Sequence, residues 1–220
     1  MAIPPIAPYP MPTERDLPQN RVTWQPDPSR AVLLIHDMQQ YFLDPFPVNE
    51  PPVIELVANI GFLREQSAAM GVPVVYTAQP GGQTLEQRGL LQDFWGNGIP
   101  PGPDGQRVVD ALAPREQDVL LTKWRYSAFV RTDLLERLRS AGRDQLVICG
   151  VYGHIGCLMT ACDAFMHEIQ PFFVGDAIGD FSLERHRMAL EYAAQRCATT
   201  ISTRAVVSGL LDARPAARIA

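Results

Sequence analysis

The sequence has no long apolar run, no strongly basic stretch and only one lysine. None of its 220 residues lies in a segment approaching the roughly 20 consecutive apolar residues of a membrane-spanning helix. Prolines interrupt the start of the chain, where a signal peptide would carry its apolar segment. We therefore expect a cytoplasmic protein without a membrane partner. The net charge of -5 argues against nucleic acid as a partner, because a negatively charged protein does not attract the phosphate backbone.

The four cysteines predict no disulfide framework, since they lie in or beside apolar runs in a chain large enough to fold without cross-links. The sequence also lacks a glycine-rich phosphate loop, a GxSxG nucleophile turn, an HExxH pair and a CxxC pair. We therefore predict no metal, nucleotide or flavin cofactor.

Six short apolar runs alternate with segments of helical periodicity. The predicted strands cover residues 31–36, 72–79, 118–123, 145–152, 170–178 and 198–203. The predicted helices cover residues 53–70, 132–141, 156–168 and 183–196, the last one capped by Ser182, with short helical stretches near 85–92 and 105–113. Nearly all-apolar strands that alternate with helices are buried on both faces. The pattern predicts one three-layer α/β/α domain of Rossmann type with a central, mainly parallel, six-stranded sheet.

Three segments differ in composition. Residues 1–29 are rich in proline and predict an arm laid over the domain or a neighbouring subunit. Residues 30–208 carry the regular pattern of the domain, and 209–220 form a C-terminal tail. Within the domain, residues 80–117 form a long connection, and such connections are usually functional.

Polar residues lie at the ends of four of the predicted strands. Asp37 comes directly after the first, Gln79 and Lys123 are the last residues of the second and third, and Tyr152 to Gly156 start at the end of the fourth. In an open α/β sheet the ligand lies beyond the carboxyl ends of the strands. We therefore expect these residues to share one edge of the sheet and to form the site.

Each candidate also has a purely structural interpretation. Asp37 could cap the next turn, Gln79 could be a turn residue, and Lys123 could extend from the surface. Lys123 is nevertheless the single lysine among 19 basic residues, and only lysine offers a compact charge with a tunable proton affinity. His36 and His154 flank apolar segments, which favours core histidines.

Five segments carry a resemblance to a known family. They are LLIHDMQQYF (33–42), YTAQPG (76–81), LLTKWRYSAF (120–129), ICGVYGHIGC (148–157) and VGDAIGDFS (174–182). Together with the proline-rich arm they resemble the isochorismatase family over most of the chain, to about Ser208. The resemblance implies that residues 30–208 form an isochorismatase-like hydrolase domain.

The activity implied is hydrolysis of an enolpyruvyl vinyl ether to pyruvate and a trans-dihydroxy-cyclohexadiene carboxylate. A vinyl ether is inert until its terminal methylene carbon is protonated, after which the oxocarbenium ion captures water. We hypothesise that Asp37 is the general acid and that Lys123 orients it together with the enolpyruvyl carboxylate. Of the two substrates that fit this activity, the resemblance favours isochorismate, which leads to siderophores or related aryl acids.

Other site residues follow from the resemblance alone. Arg88 and Gln79 match positions that hold the substrate's carboxylate and polar groups, and an arginine fork suits a carboxylate. Tyr152 and the backbone near Gly156 are expected on the pyruvyl side. The residues expected to exclude water are Phe42, Trp95 and Tyr126. The resemblance also implies a non-proline cis peptide between Val151 and Tyr152.

Cysteine amidases of the wider superfamily carry an Asp, Lys and Cys triad whose thiol falls at Gly156 here. Glycine supplies no nucleophile, and one helical step of about 100° should turn Cys157 away from the pocket. This argues against a cysteine amidase. The missing thiol is also expected to leave room for the substrate ring.

Alternatives stay open for substrate and role. The 2-amino analogue of isochorismate, which leads to phenazines or other antibiotics, differs from isochorismate only by an amino group for a hydroxyl group. A non-catalytic docking subunit is a second possibility. The resemblance further implies a homodimer, and the short stretch after Ser208 leads us to expect no carrier-protein domain.

Overall fold

Six short strands, rich in β-branched residues, form one sheet in which every neighbouring pair is parallel. The computed structural model describes residues 3–213 of the chain. The strands are β1 (Ala31–His36), β2 (Val74–Ala78), β3 (Val119–Thr122), β4 (Gln145–Val151), β5 (Gln170–Gly179) and β6 (Thr199–Ile201). They confirm the predicted six-stranded sheet.

The strand order is β3-β2-β1-β4-β5-β6. The chain therefore moves outward from β1 to β3 and then returns to the other side of β1 with β4. The carboxyl ends of β1 and β4 diverge into connections on opposite sides, which creates a crevice between them.

Helices cover both faces of the sheet, as predicted. They are α1 (Gln40–Leu43), α2 (Val53–Ala69), α3 (Leu85–Arg88), α4 (Leu91–Trp95), α5 (Pro103–Gln106), α6 (Leu134–Ser140), α7 (Leu158–Met166), α8 (Leu183–Arg196) and α9 (Thr203–Asp212). None of these helices within residues 3–213 is both long and apolar enough to cross a bilayer.

Two apolar cores separate the layers, because successive side chains of a strand point to opposite faces. Leu33 and Ile35 of β1 belong to the core that contains α2 and α9. Val32 and Leu34 belong to the core that contains α6, α7 and α8. Burial on both faces explains why the strands read as uninterrupted apolar runs.

Most predicted elements lie within a few residues of the observed ones, and Ser182 caps α8 by accepting a hydrogen bond from the Arg185 backbone. Residues 80–117 contain α3, α4, α5 and a 3-10 turn, all shorter than expected. Helix α9 was not predicted from the sequence; its N-terminus is capped by Ser202, whose side chain accepts a hydrogen bond from the Ala205 amide. This helix extends past the expected domain end at 208. Residues 214–220 of the expected tail lie outside the described residues.

The proline-rich arm packs against its own chain. Ile6, Tyr9 and Met11 are buried in the same core as α2. The amide of Ile6 donates a hydrogen bond of 2.8 Å to the Pro45 carbonyl. The arm therefore contributes apolar surface to the domain on the side of the crevice.

Candidate active site

A cavity opens at the carboxyl ends of β1 to β4. Its lining combines aromatic side chains with a few convergent polar groups, which is typical of a small-molecule site. All nine residues placed in the site by the sequence analysis line it: Asp37, Phe42, Gln79, Arg88, Trp95, Lys123, Tyr126, Tyr152 and Gly156. No cluster of three or more His, Cys, Asp or Glu side chains suited to a metal ion occurs within residues 3–213.

Asp37 leaves the end of β1 in a left-handed backbone conformation, with φ of 50°. This conformation is uncommon outside glycine and marks a constrained position. The Thr77 hydroxyl group accepts the Asp37 amide at 3.1 Å and donates to Oδ1 at 2.6 Å. Only side chains among the described residues donate to the carboxylate, which rules out the turn-cap interpretation.

Lys123 is buried, with 1% of its surface exposed, so the surface interpretation is wrong. Its Nζ lies 2.9 Å from Oδ2 of Asp37. Nζ also donates to the carbonyl groups of Arg125 at 2.6 Å and Tyr126 at 3.4 Å. Three acceptors around one ammonium group fix its position beside the acid.

Opposing effects act on the pKa of Asp37. Burial by itself raises this pKa, but the charge of Lys123 and the hydrogen bonds from Thr77 and Lys123 outweigh it. The net result is a pKa below the ordinary value for aspartate. Without a bound ligand, Asp37 is therefore ionised at neutral pH.

Gln79 follows β2 and donates from Nε2 to Oδ2 of Asp37 at 3.3 Å. Gln39 holds its backbone on both sides: Oε1 accepts the Gln79 amide at 2.7 Å, and Nε2 donates to the Gln79 carbonyl at 2.9 Å. Neither Gln39 nor Thr77 is among the site residues predicted from the sequence. Thr77 points to Asp37 because the register of β1 and β2 pairs Thr77 with His36, the residue before Asp37. The sequence alone does not reveal this register.

Arg88 ends α3 and is 3% exposed. Its Nε donates to the carbonyl of Gly96 at 3.0 Å, and burial lowers the pKa of its guanidinium. No carboxylate of the described part of the chain lies within ion-pair distance. A buried, unpaired guanidinium that faces a cavity is suited to an anionic ligand.

Aromatic side chains enclose the cavity. The Tyr152 hydroxyl group donates to the Phe42 carbonyl at 2.6 Å, and Trp95 donates to the Tyr126 hydroxyl group at 2.8 Å. Phe181 connects the two pairs, with its ring 4.5 Å from Tyr152 and 6.1 Å from Trp95. Phe181 is not among the site residues predicted from the sequence, although it lies in one of the five segments that resemble the family.

The π-helical turn Gly153–Cys157 after β4 is anchored by Asp180. The carboxylate of Asp180 accepts the His154 amide at 2.6 Å and Nδ1 of His154 at 2.5 Å. The hydroxyl group of Tyr9, from the arm, accepts the Asp180 amide at 2.8 Å. Ile3 of the arm also lines the cavity. The arm and β5 therefore help to shape the site.

The peptide between Val151 and Tyr152 is cis, as the resemblance implied. Cys157 lies in the core with α6 and α7 and does not line the cavity, and burial raises its pKa well above the ordinary value. The prediction that Cys157 turns away is confirmed.

The expectation of free space beside Gly156 is wrong. A Cβ at this position would lie 2.3 Å from Cε1 of His36. His36 is buried, as a core histidine should be, and it is also among the residues that line the cavity. The sequence predicts His36 as a core residue alone, because its position at a strand end does not show which groups its side chain faces.

Residues 31–205 match the family model described as "Isochorismatase domain". This chain belongs to the isochorismatase family. It is 60% identical to "Isochorismatase" of Bacillus subtilis (strain 168) over 213 residues, 97% of this chain and 68% of the relative. It is 58% identical to "Phenazine biosynthesis protein PhzD" of Pseudomonas fluorescens over 205 residues, 93% of this chain and 98% of the relative.

A solved cysteine hydrolase from Pseudomonas syringae pv. phaseolicola 1448A superimposes with a TM-score of 0.81 at 24% identity. The superposition covers 90% of this chain and 99% of the hydrolase. At this identity the match shows the shared isochorismatase-like fold. The family and fold predicted from the sequence are thus confirmed.

Proposed function

We propose that this protein is an isochorismatase, a hydrolase that cleaves the vinyl ether of isochorismate to 2,3-dihydro-2,3-dihydroxybenzoate and pyruvate. The observation that carries the proposal is the buried Asp37 carboxyl group, held by Lys123 and Thr77 in a cavity where residue 156 is glycine. Relatives named for isochorismatase and phenazine biosynthesis support the reaction and a place in siderophore or other secondary metabolism.

The chemistry needs one proton at one carbon. Asp37 donates a proton to the terminal methylene carbon of the enolpyruvyl group, and the ether becomes an oxocarbenium ion. Water adds to the cationic carbon and loses a proton, which restores the acid. The resulting hemiketal collapses to pyruvate and the ring alcohol. Such a general acid typically contributes about 10² to 10⁴-fold to the rate.

Substrate binding must protonate Asp37, whose pKa is low in the free protein. Isochorismate brings two carboxylates into the cavity, and negative charge near an acid raises its pKa. Water exclusion acts in the same direction. Trp95 lies in α4 within the 80–117 connection, so we propose that this segment closes over the substrate.

The remaining polar groups position the substrate. Arg88, which has no acidic partner among the described residues, binds one carboxylate of the substrate. Lys123 orients Asp37 and the enolpyruvyl carboxylate, and Gln79 binds a polar group of the substrate. Tyr152 and the backbone at Gly156 line the pyruvyl side, while Phe42, Trp95 and Tyr126 exclude water.

A second candidate substrate is the 2-amino analogue of isochorismate. The identity to the phenazine relative, 58%, is close to the 60% shared with the isochorismatase. The two substrates differ in one ring substituent, and both carry the vinyl ether on which Asp37 acts.

A pyruvate-release assay coupled to lactate dehydrogenase tests the proposal. Purified protein is offered each vinyl ether in parallel, and kcat/KM is compared between them. Turnover of either one supports the hydrolase, and the larger kcat/KM identifies the substrate. Protein that releases no pyruvate from either one while binding a partner protein would be a docking subunit instead.

We also propose a homodimer located in the cytoplasm. The four cysteines are free thiols, which suits a reducing compartment. Large apolar side chains are exposed on α4 and α7, among them Phe94 at 68% and Met166 at 66%, and a second subunit would cover such surface. Light scattering measures the mass in solution: twice the chain mass supports the dimer, and the chain mass alone contradicts it.

A further inference from the structure

The ring of His36 occupies the space that a side chain at position 156 would need. A Cβ built on Gly156 would lie 2.3 Å from Cε1, 2.9 Å from Nε2 and 3.2 Å from Nδ1 of this ring. Distances this short mean that His36 would have to move before any side chain could stand there. His36 ends β1 and Gly156 lies in the π-helical turn that follows β4, so their fit is a property of the fold.

His36 has little freedom to move. Its ring is fully buried, and Nδ1 donates to the Val151 carbonyl at 2.8 Å. Its backbone pairs with Thr77 of β2 and with Gly150 of β4. A Cβ at Gly150 would lie 2.1 Å from the His36 carbonyl oxygen, so β4 presses directly on this residue. The imidazole is therefore held in place by both neighbouring strands.

The environment explains which features of histidine are used. Nδ1 carries the proton, since it donates to the Val151 carbonyl, and the Tyr126 backbone is a second hydrogen-bond partner of the ring. The position therefore holds a flat ring of this size in a fixed orientation.

We propose that His36 is a positioning residue that sets how deep the substrate lies, by filling the space of a side chain at position 156. The inference rests on the proposed function. The ring forms the wall next to Asp37 and keeps the enolpyruvyl group within reach of the acid. Without this wall the substrate would sink past the carboxyl group.

Two substitutions separate the two features of the ring. His36→Asn keeps a donor near the position of Nδ1 but removes Cε1 and Nε2, the wall. His36→Phe keeps a wall but removes the donor to Val151. We expect His36→Asn to raise KM and lower kcat by about tenfold or more each, because misplacing a substrate by about 1 Å costs up to about 100-fold. We expect the increase in KM to be several times smaller in His36→Phe. Equal effects of the two variants on KM would overturn the proposal.

The direct test is whether positions 36 and 156 depend on each other. Gly156→Ala should reduce kcat/KM for pyruvate release by about 100-fold in the wild-type background. In the His36→Asn background the added methyl group enters the vacated space and should restore part of the lost activity. Gly61→Ala is the matched control, since the nearest atom to its new Cβ is 3.8 Å away, and it should cost little in either background.

The outcomes are distinct. An equal loss from Gly156→Ala in both backgrounds overturns the proposal. If Gly156→Ala does not fold, a double variant that folds and releases pyruvate supports it, and a double variant that also fails contradicts it. If the wild-type protein releases no pyruvate, the proposed function fails. Calorimetric binding of isochorismate to the same four proteins would then still show whether the two positions are coupled.

Discussion

Replacing Asp37 with asparagine removes the acid while preserving the shape of the side chain. The asparagine oxygen can still accept from Thr77, which lies 2.6 Å away, or from Lys123, which lies 2.9 Å away. What is lost is the proton for the methylene carbon. We expect kcat to fall by about 10² to 10⁴-fold. This corresponds to about 3 to 5 kcal/mol of transition-state free energy, at about 1.4 kcal/mol for each factor of ten.

The same substitution also affects stability. Removing one partner of a buried ion pair typically costs about 3 to 5 kcal/mol, because the other charge is left uncompensated. Lys123 keeps its hydrogen bonds to the Arg125 and Tyr126 carbonyl groups, so the loss of folding stability should be at or below the lower end of this range. Circular dichroism and thermal melting must therefore show that Asp37→Asn is folded at the assay temperature.

The assay is pyruvate release coupled to lactate dehydrogenase, with substrate binding measured by calorimetry. We expect binding to persist in Asp37→Asn while turnover is lost. Asp44→Asn is the control, because Asp44 is an exposed aspartate beside α1 that does not line the cavity. A folded Asp37→Asn protein with kcat close to that of wild type would refute the assignment of the acid.

Three further predictions follow from the structure. Arg88→Lys loses the planar fork that suits a carboxylate, so KM should rise by about 10 to 100-fold in steady-state assays, and an unchanged KM would exclude a carboxylate partner. Burial lowers the pKa of His186 to about 4, so the neutral form stabilises the fold above about pH 6.5 and this contribution is lost as the pH falls toward 4. Urea unfolding should show a decline of about 3 kcal/mol across this window that His186→Gln largely lacks, and equal slopes would contradict the assignment. Contact with Cys197 lowers the pKa of Cys162, so Cys162 should be the first thiol to react with iodoacetamide. Pyruvate release should persist after this reaction. Inactivation that substrate prevents would indicate a catalytic thiol instead.

Much of the site was predictable because it depends on where strands end. Asp37, Gln79 and Lys123 each follow an apolar run, and the carboxyl ends of parallel strands meet at one edge of the sheet. Apolar runs do not reveal the strand order, however, and therefore do not show that the site lies between β1 and β4.

The missed residues depend on side-chain direction and on long-range packing. Thr77 and His36 lie within strands, where register decides which groups they face. Helix α9 contains Val206, Val207 and Gly209, residues with weak helix propensity, and burial against the sheet and α2 stabilises it. Phe181 closes the cavity only because β5 delivers it beside Tyr152.

The central claim is that the enolpyruvyl carbon, and not the ring carbon, is attacked after protonation. Hydrolysis of isochorismate in water enriched in heavy oxygen tests it most directly, with the ring product analysed by mass spectrometry. If Asp37 protonates the methylene carbon, water adds to the pyruvyl carbon, and the diol product keeps the original ether oxygen and gains no label. Heavy oxygen in the diol would show that the ring carbon is attacked, and would contradict the account.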